Sequence, residues 1–323
     1  MANQTDKIAF GPVPSRRLGR SVGINNIPPK ICTYACVYCQ LGRTPHMQIT
    51  RAAFYQPEEI LRQVEIKLRE AREHEEGIDY LTFVPDGEPT LDLHLGRSIE
   101  LLKPLGIKIA VITNASLLWQ ADVRDALRQT DWVSVKIDAA IQDTWRKIDR
   151  PHGTLRREQI LQGIADFSQT FHGELVTETM LVHGVNDEQT ELERIAKIVA
   201  DWHLQKSYLA IPTRPPAESW VQPVTEAALN RAYHIFCAQG LTVEYLIGYE
   251  GNAFARTGQV EEDLLSITAV HPMRADAVRE FLERARAGWE VVDRLLAKKQ
   301  LRALEYQGHT FYLRTLQRYE RIS

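Results

Sequence analysis

Cys32-Thr-Tyr-Ala-Cys36-Val-Tyr-Cys39 decides how the rest of this chain reads. Its three cysteines are spaced C-x₃-C-x₂-C, and the 323 residues contain only four cysteines in all. Thiolates this close together suit a soft metal or an iron–sulfur cluster better than a disulfide. The odd number matters too. Three protein thiolates on a four-iron cubane leave one iron open to a small molecule. A zinc ion is the alternative, with His46 completing a tetrahedral set of three cysteines and a histidine. Cys237 stands apart in the apolar helical run 232–238 and reads as an inert core thiol.

Working outward, the chain alternates between strand-like and helix-like segments. Strands are expected at 21–25, 80–84, 107–113, 132–137, 175–182 and 207–211, with helices near 57–69, 92–104, 120–129, 140–148, 156–171 and 187–202. Strands separated by helices imply a parallel sheet with right-handed crossovers. Six such units fit a partial (β/α)6 barrel or an open doubly wound sheet, and periodicity does not separate the two. A further helix at 225–239 and strand at 241–247 extend the sheet. A glycine-bearing break at 248–260 then reads as a linker between a barrel over 1–247 and a module over 261–323. Helices at 261–270, 273–285 and 289–298, then a hairpin turning at Gln307-Gly308, give that module a winged-helix-like pattern.

Composition bounds the function. With 44% apolar and 25% charged residues and no long apolar run, the chain reads as a globular protein without a membrane span. The segment 1–7 has no signal-peptide core, and clustered thiols suit a reducing cytoplasmic compartment. Net charge is only −3, yet residues 1–51 carry seven bases against the single acid Asp6. Such a margin attracts an anionic substrate or phosphate backbone, or is simply a solvated basic face.

With Tyr38 before its third cysteine, the motif resembles that of the radical S-adenosylmethionine (SAM) superfamily. The flanking runs Gly11-Pro-Val-Pro-Ser-Arg-Arg-Leu-Gly19 and Gln40-Leu-Gly-Arg-Thr44 resemble a subgroup of iron–sulfur oxidoreductases related to the wyosine-synthetase branch. The resemblance implies an α/β fold with a partial (β/α)6 TIM-type barrel. It further implies a 4Fe-4S cluster on Cys32, Cys36 and Cys39, with SAM chelated at the open iron. An electron donor such as flavodoxin or ferredoxin would drive cleavage of SAM to a 5′-deoxyadenosyl radical that abstracts hydrogen from a substrate.

In parallel α/β folds ligands sit beyond the carboxyl ends of the strands, so the residues following each strand are the candidates. Pro85-Asp86-Gly87-Glu88-Pro89-Thr90 resembles the family's Gly-Gly-Glu-type SAM-binding motif, with Asp86 where the first glycine often stands. It also fits an ordinary turn. Thr113 and Asn114 offer a hydroxyl and an amide to SAM, or cap the next helix. Lys136 and Asp138 share one face of a strand. Facing inward, these charges are costly unless paired or used, so both are placed near the substrate, with Glu178 as another inner candidate on the cofactor side. Arg214, between prolines, reads as a clamp for an anionic substrate or as part of a stiff crossover. His183 reads as a surface-loop residue. In the C-terminal module basic and acidic residues offset one another, which favours docking of an RNA or protein substrate, or dimerisation, over duplex DNA. No second cysteine cluster and no cobalamin domain is visible, leaving hydrogen abstraction as the expected chemistry. The rival from another class is a non-enzymatic, zinc-binding winged-helix regulator.

Overall fold

The computed structural model describes residues 8–45, 47–74, 76–247, 260–270 and 272–315. His46, most of the expected linker 248–260 and the chain beyond 315 lie outside the described residues.

Strand β1 (Ala9–Ser15) pairs antiparallel with β2 (Gly19–Ile24), and β2 opens a run of seven parallel strands. The others are β3 (Tyr80–Phe83), β4 (Lys108–Thr113), β5 (Trp132–Lys136), β6 (Glu174–Met180), β7 (Lys206–Ala210) and β8 (Val243–Leu246). Helices α1 (Pro57–Glu73), α2 (Leu95–Leu102), α3 (Ala121–Leu127), α4 (Gln142–Ile148), α5 (Arg157–Ser168), α6 (Gln189–Ala200) and α7 (Glu226–Ala238) connect them. The strands lie in the sheet in sequence order, β1 to β8. A doubly wound sheet reverses its order at a switch point. Here every crossover advances the same way, so right-handed connections put all the helices on one face and curl the sheet toward a partial barrel.

Local chemistry explains the elements. Helix α1 starts on Pro57, carries Glu58 and Glu59 in its first turn and Arg72 in its last, and buries Ile60, Val64, Leu68 and Ala71 along one stripe. Strand β5 is enclosed on both faces, with Trp132, Val133 and Val135 almost wholly buried. The expected strands recur within a residue or two. Strand β1 was not expected, because Pro12 and Pro14 argue against a strand. It forms because it is an edge strand, where missing N–H donors are tolerated, and its register slips between Phe10 and Val13.

Beyond the sheet lie α8 (Val260–Val270), β9 (Met273–Arg274), α9 (Ala275–Arg284), α10 (Glu290–Ala297), β10 (Leu301–Tyr306) and β11 (His309–Arg314). The three strands form a separate sheet in the order β10-β11-β9. Leu264, Phe281, Val292, Leu295 and Tyr312 belong to a second apolar cluster, and Val13 of β1 packs against it. The helix expected from 273 begins at Ala275, because Met273 and Arg274 pair with Tyr312 and Phe311. The hairpin turns at Gln307 and Gly308, both at positive φ. No helix among the described residues is long and apolar enough to cross a membrane.

One contact fixes α5 against the loop after β4. A Cβ on Gly163 would lie 2.4 Å from the Trp119 nitrogen and 2.5 Å from the Leu118 carbonyl carbon. Helix propensity favours alanine over glycine by about 1 kcal/mol. The clash is with backbone that cannot rotate away, and such overpacking costs about 1–3 kcal/mol. Gly163→Ala is therefore expected to destabilise the chain, lowering the melting temperature by about 2–4 °C per net kcal/mol in a thermal melt.

Candidate active site

Cys32, Cys36 and Cys39 line one cavity of about 300 Å³ at the carboxyl ends of the parallel strands. The loop that carries them is held by backbone bonds. Cys39 N–H donates to the Cys36 carbonyl at 3.1 Å, Val37 N–H to Ile148 O at 2.9 Å, and Gln48 N–H to Cys32 O at 3.1 Å. Tyr34 packs edge-on against Trp145, with ring centroids 6.0 Å apart. All three thiols are free of disulfides. Asn114 Nδ2 lies 3.6 Å from Cys32 Sγ, Lys30 Nζ 3.7 Å from Cys39 Sγ, and Asp149 Oδ1 3.5 Å from Cys36 Sγ. Burial, with the Glu88 carboxylate adding to it, pushes the Cys32 thiol up to about 12. Metal loading therefore expels a proton here.

Three cysteine thiols serve different metals in different ways. A zinc ion needs its sulfurs gathered at about 2.3 Å around one point. A four-iron cluster distributes them over separate irons. Three thiols around one cavity, with N–H donors beside two of the sulfurs, fit the cluster.

The turn after β3 lies directly on the cysteine loop. Lys30 N–H donates to Asp86 O at 2.7 Å, and Glu88 N–H donates to Ile31 O at 3.0 Å. A Cβ on Gly87 would stand 1.9 Å from that Ile31 oxygen, so only glycine fits. Both Glu88 oxygens are occupied within the protein. Oε1 accepts from Thr90 N (3.0 Å), Thr90 Oγ1 (2.6 Å) and Thr113 Oγ1 (2.6 Å), and Oε2 from Asn114 N (2.7 Å). Burial pushes the Glu88 carboxyl up and these donors pull it back. Glu88 thus ties the β3 turn to the β4 turn. Pro89 is buried behind them, its carbonyl accepting from Asn26 Nδ2 at 3.0 Å.

Across the cavity stands a buried charged group. Strand register pairs Lys136 with Glu178. Lys136 Nζ is 2.8 Å from Glu178 Oε1 and 4.9 Å from the Tyr38 ring centroid, while Arg17 pairs with Glu178 Oε2. Burial alone would raise the Glu178 carboxyl, but Lys136 and Arg17 overcome it and hold it at about 2. Burial would lower Lys136, and Glu178 and Asp138 instead keep it above the usual lysine range. Asp138 is 1% exposed and stands behind the wall, accepting from Tyr38 Oη and, at 2.7 Å, from Met180 N. Burial, with Asp138 beside it, pushes Asp149 well above the carboxylate range.

Of the residues expected in the site, Tyr38, Asp86, Gly87, Glu88, Thr113, Asn114, Lys136, Glu178 and Arg214 line the cavity with the three cysteines. Asp138 and Pro89 do not. His183 is exposed and sits 3.1 Å from Asp187, as a surface-loop residue would. Two residues escaped the sequence reading. Asp149 follows α4 and meets Cys36 and Tyr38. Glu218 bridges Arg43 at 2.8 Å and Arg150 at 2.5 Å, and its N–H reaches Val37 O at 3.0 Å. Neither sits in a motif or a periodic pattern.

The radical SAM superfamily profile matches residues 26–195. A UPF0026 protein of Methanocaldococcus jannaschii is 42% identical over 311 residues, covering 96% of this chain and 96% of its own. A UPF0026 protein of Helicobacter pylori is 30% identical, over 97% of this chain and 99% of its own. In fold, a radical SAM methyltransferase from Sphaerobacter thermophilus superposes with a TM-score of 0.56 at 18% identity, over 70% of this chain and 66% of that one. SuiB from Streptococcus suis, in a structure with SAM bound, gives 0.51 at 12% identity, over 69% of this chain and 49% of that one. With the cysteine loop inside the matched span and the likeness running nearly end to end, the chain belongs to the radical SAM superfamily, which uses a 4Fe-4S cluster and S-adenosylmethionine, and within it to the UPF0026 family.

Proposed function

We propose that this chain is an enzyme that abstracts a hydrogen atom from an anionic substrate, either a small molecule or a macromolecule (RNA or protein). The observation that carries the reading is one cavity in which three cysteines, the Asp86–Glu88 turn and the Lys136–Glu178–Arg17 group face one another. When bound, the cluster and SAM supply the oxidant, because one-electron cleavage of the sulfonium gives methionine and a 5′-deoxyadenosyl radical.

The chain's residues do the rest. Cys32, Cys36 and Cys39 hold the cluster, and Asn114 and Lys30 place N–H donors beside two of the sulfurs. Tyr38, the Asp86–Gly87 backbone, Thr113 and Asn114 form the SAM side of the cavity. Glu88 and Pro89 position that turn from behind. Lys136 and Arg214 face the substrate side, Glu178 is held between Lys136 and Arg17 at the border with the cofactor side, and Asp138 orients Tyr38. The lining carries five bases (Arg16, Arg17, Lys30, Lys136, Arg214) against three acids (Asp86, Glu88, Glu178). That excess favours a substrate bearing negative charge.

We read residues 1–247 as the catalytic barrel, 248–260 as the linker and 261–323 as a winged-helix-like module for docking the substrate. The order α8-β9-α9-α10-β10-β11, with three helices on a three-stranded sheet, supports the module. The basic first segment and the C-terminal module lean toward RNA among the macromolecules. A flavodoxin or ferredoxin in a reducing cytoplasm is the matching electron donor. The zinc-regulator reading loses ground because the cysteine loop lies within the span that matches the radical SAM superfamily.

The test is anaerobic. The full chain, reconstituted with iron and sulfide and then given SAM and dithionite, is expected to release 5′-deoxyadenosine detectable by mass spectrometry. Cys32→Ala is expected to lose both the cluster's visible absorbance and the product. A colourless zinc-loaded protein that leaves SAM intact would overturn the proposal.

A second expectation concerns acid stability. Glu178 faces Lys136 from β5, Arg16 and Arg17 from the β1–β2 turn, and Asp138. Its folded value of about 2 lies below the ordinary glutamate value of about 4.3. The ionised form therefore favours the folded state above about pH 4.3, by about 2–3 kcal/mol, and this is lost as pH falls toward 2. Urea unfolding should show Glu178→Gln less stable than wild type by that amount at neutral pH. The gap should close between roughly pH 4 and pH 2, and a gap that persists there would contradict the ion-pair account.

A further inference from the structure

The hairpin β10–β11 belongs to the C-terminal sheet but borders the cavity of the barrel. Its two faces differ. Leu301 and Tyr312 point into the C-terminal core. The opposite face carries Arg302, Leu304 and Tyr306 on β10, alternating along the strand, with Phe311 and Leu313 opposite Leu304 and Arg302 on β11. Tyr306 reaches the barrel, its hydroxyl donating to the Pro212 carbonyl at 3.0 Å. Pro212 lines the cavity beside Thr213 and Arg214. Tyr306 is partly buried at this contact, and that burial pushes its phenol up to about 12.

Four residues earlier on the same face, Arg302 approaches the cysteine loop. Its Nη2 lies 4.0 Å from where a Cβ on Gly42 would sit. Gly42 O accepts from Lys30 Nζ at 2.6 Å, and Lys30 in turn neighbours Cys39. Arg302 is exposed and makes no ion pair among the described residues. Leu304, between these two anchors, leaves 40% of its surface exposed. The hairpin thus meets the β7 loop through Tyr306 and brings the Arg302 guanidinium near Gly42 of the cysteine loop, whose neighbours Gln40, Leu41 and Thr44 line the cavity.

We propose that hairpin β10–β11 is the outer wall of the radical SAM cavity, and that Arg302 is a specificity-determining residue that binds an oxyanion group of the substrate at the mouth. The inference rests on the reading of the cavity as the site of substrate oxidation. A guanidinium offers a planar fork of donors to phosphate or carboxylate oxygens and keeps its charge at any working pH. Placed on a hairpin outside the barrel, it selects among substrates without touching the residues that hold cluster or SAM.

Hydrogen exchange read by mass spectrometry on the full reconstituted chain tests both parts, with inorganic pyrophosphate as the probe anion. Tyr306→Phe is expected to speed exchange in residues 211–216 while leaving α1 unchanged. Unchanged exchange in 211–216 would mean that the wall does not form. Pyrophosphate is expected to slow exchange in residues 41–44 and 301–306 of the wild type. Arg302→Ala should weaken that protection roughly fivefold or more in apparent affinity, and Arg302→Lys, which keeps the charge, should restore part of it. Equal protection in Arg302→Ala would overturn the assignment. The SAM-cleavage assay reports separately on the parent reading: protection without 5′-deoxyadenosine would sink the enzyme and keep the anion site, and the reverse result would sink only Arg302.

Discussion

The close approach of the β3 turn to the cysteine loop is the constraint on which the rest of the site depends. Two backbone hydrogen bonds join Lys30 to Asp86 and Glu88 to Ile31, and they form only because residue 87 has no side chain. Glu88 then transfers that placement to the next strand, since its carboxylate is shared by Thr90, Thr113 and the Asn114 backbone. Asn114 closes the circuit by donating to Thr33, next to the first cysteine, at 2.8 Å. Three segments distant in sequence are thereby fixed to one another before any ligand arrives. A site held within fractions of an ångström by such supporting bonds is what binding and orienting a reactive cofactor requires.

The charged group on the opposite wall obeys a different rule. A carboxylate as buried as Glu178 would be neutral if it stood alone, because desolvation favours the uncharged form. Two cations reverse this, and the register of β5 against β6 supplies the first of them automatically. Its other partner, Arg17, comes from the turn between β1 and β2. The antiparallel edge of the sheet therefore completes the electrostatics of its interior. Breaking one member of such a buried set leaves an uncompensated charge, which costs more than the intact set contributes.

Much of this was legible in the sequence, for identifiable reasons. Short, largely apolar β-forming stretches between helical segments stood out, and 132–137 and 207–211 were right to within two residues. Residues that follow strands fall at the ligand-binding end, so Asn114 and Arg214 could be named from position, and Gly87 from position together with its likeness to a SAM-binding motif. What the sequence concealed depends on long-range pairing. Strand β1 contains two prolines and becomes a strand only because an edge tolerates them. Strand β9 is two residues long and exists through its pairing with β11. Asp149 and Glu218 meet partners 113 and 68 residues away, across loops with no periodicity. Asp138, an inward-facing charge by alternation, stands one layer deeper than expected because Tyr38 covers it.

The C-terminal unit links these themes. A sheet that stops short of closing leaves an edge, and an uncovered edge strand is a template for unwanted pairing. Strand β1 is one of its two edges, and α8 packs along it, with Val13 reaching into the C-terminal core. The same attachment carries β10 and β11 to the far side of the cysteine loop, where Tyr306 meets the β7 loop. One packing contact thus covers the sheet edge and holds the hairpin where Tyr306 reaches Pro212 of the β7 loop. The apolar cores of the two units are distinct, with β1 as their shared seam. Sequence changes on the hairpin can therefore alter what is admitted at the mouth without disturbing Gly87, Glu88 or the cysteine loop, which separates the choice of substrate from the machinery that holds the cofactors.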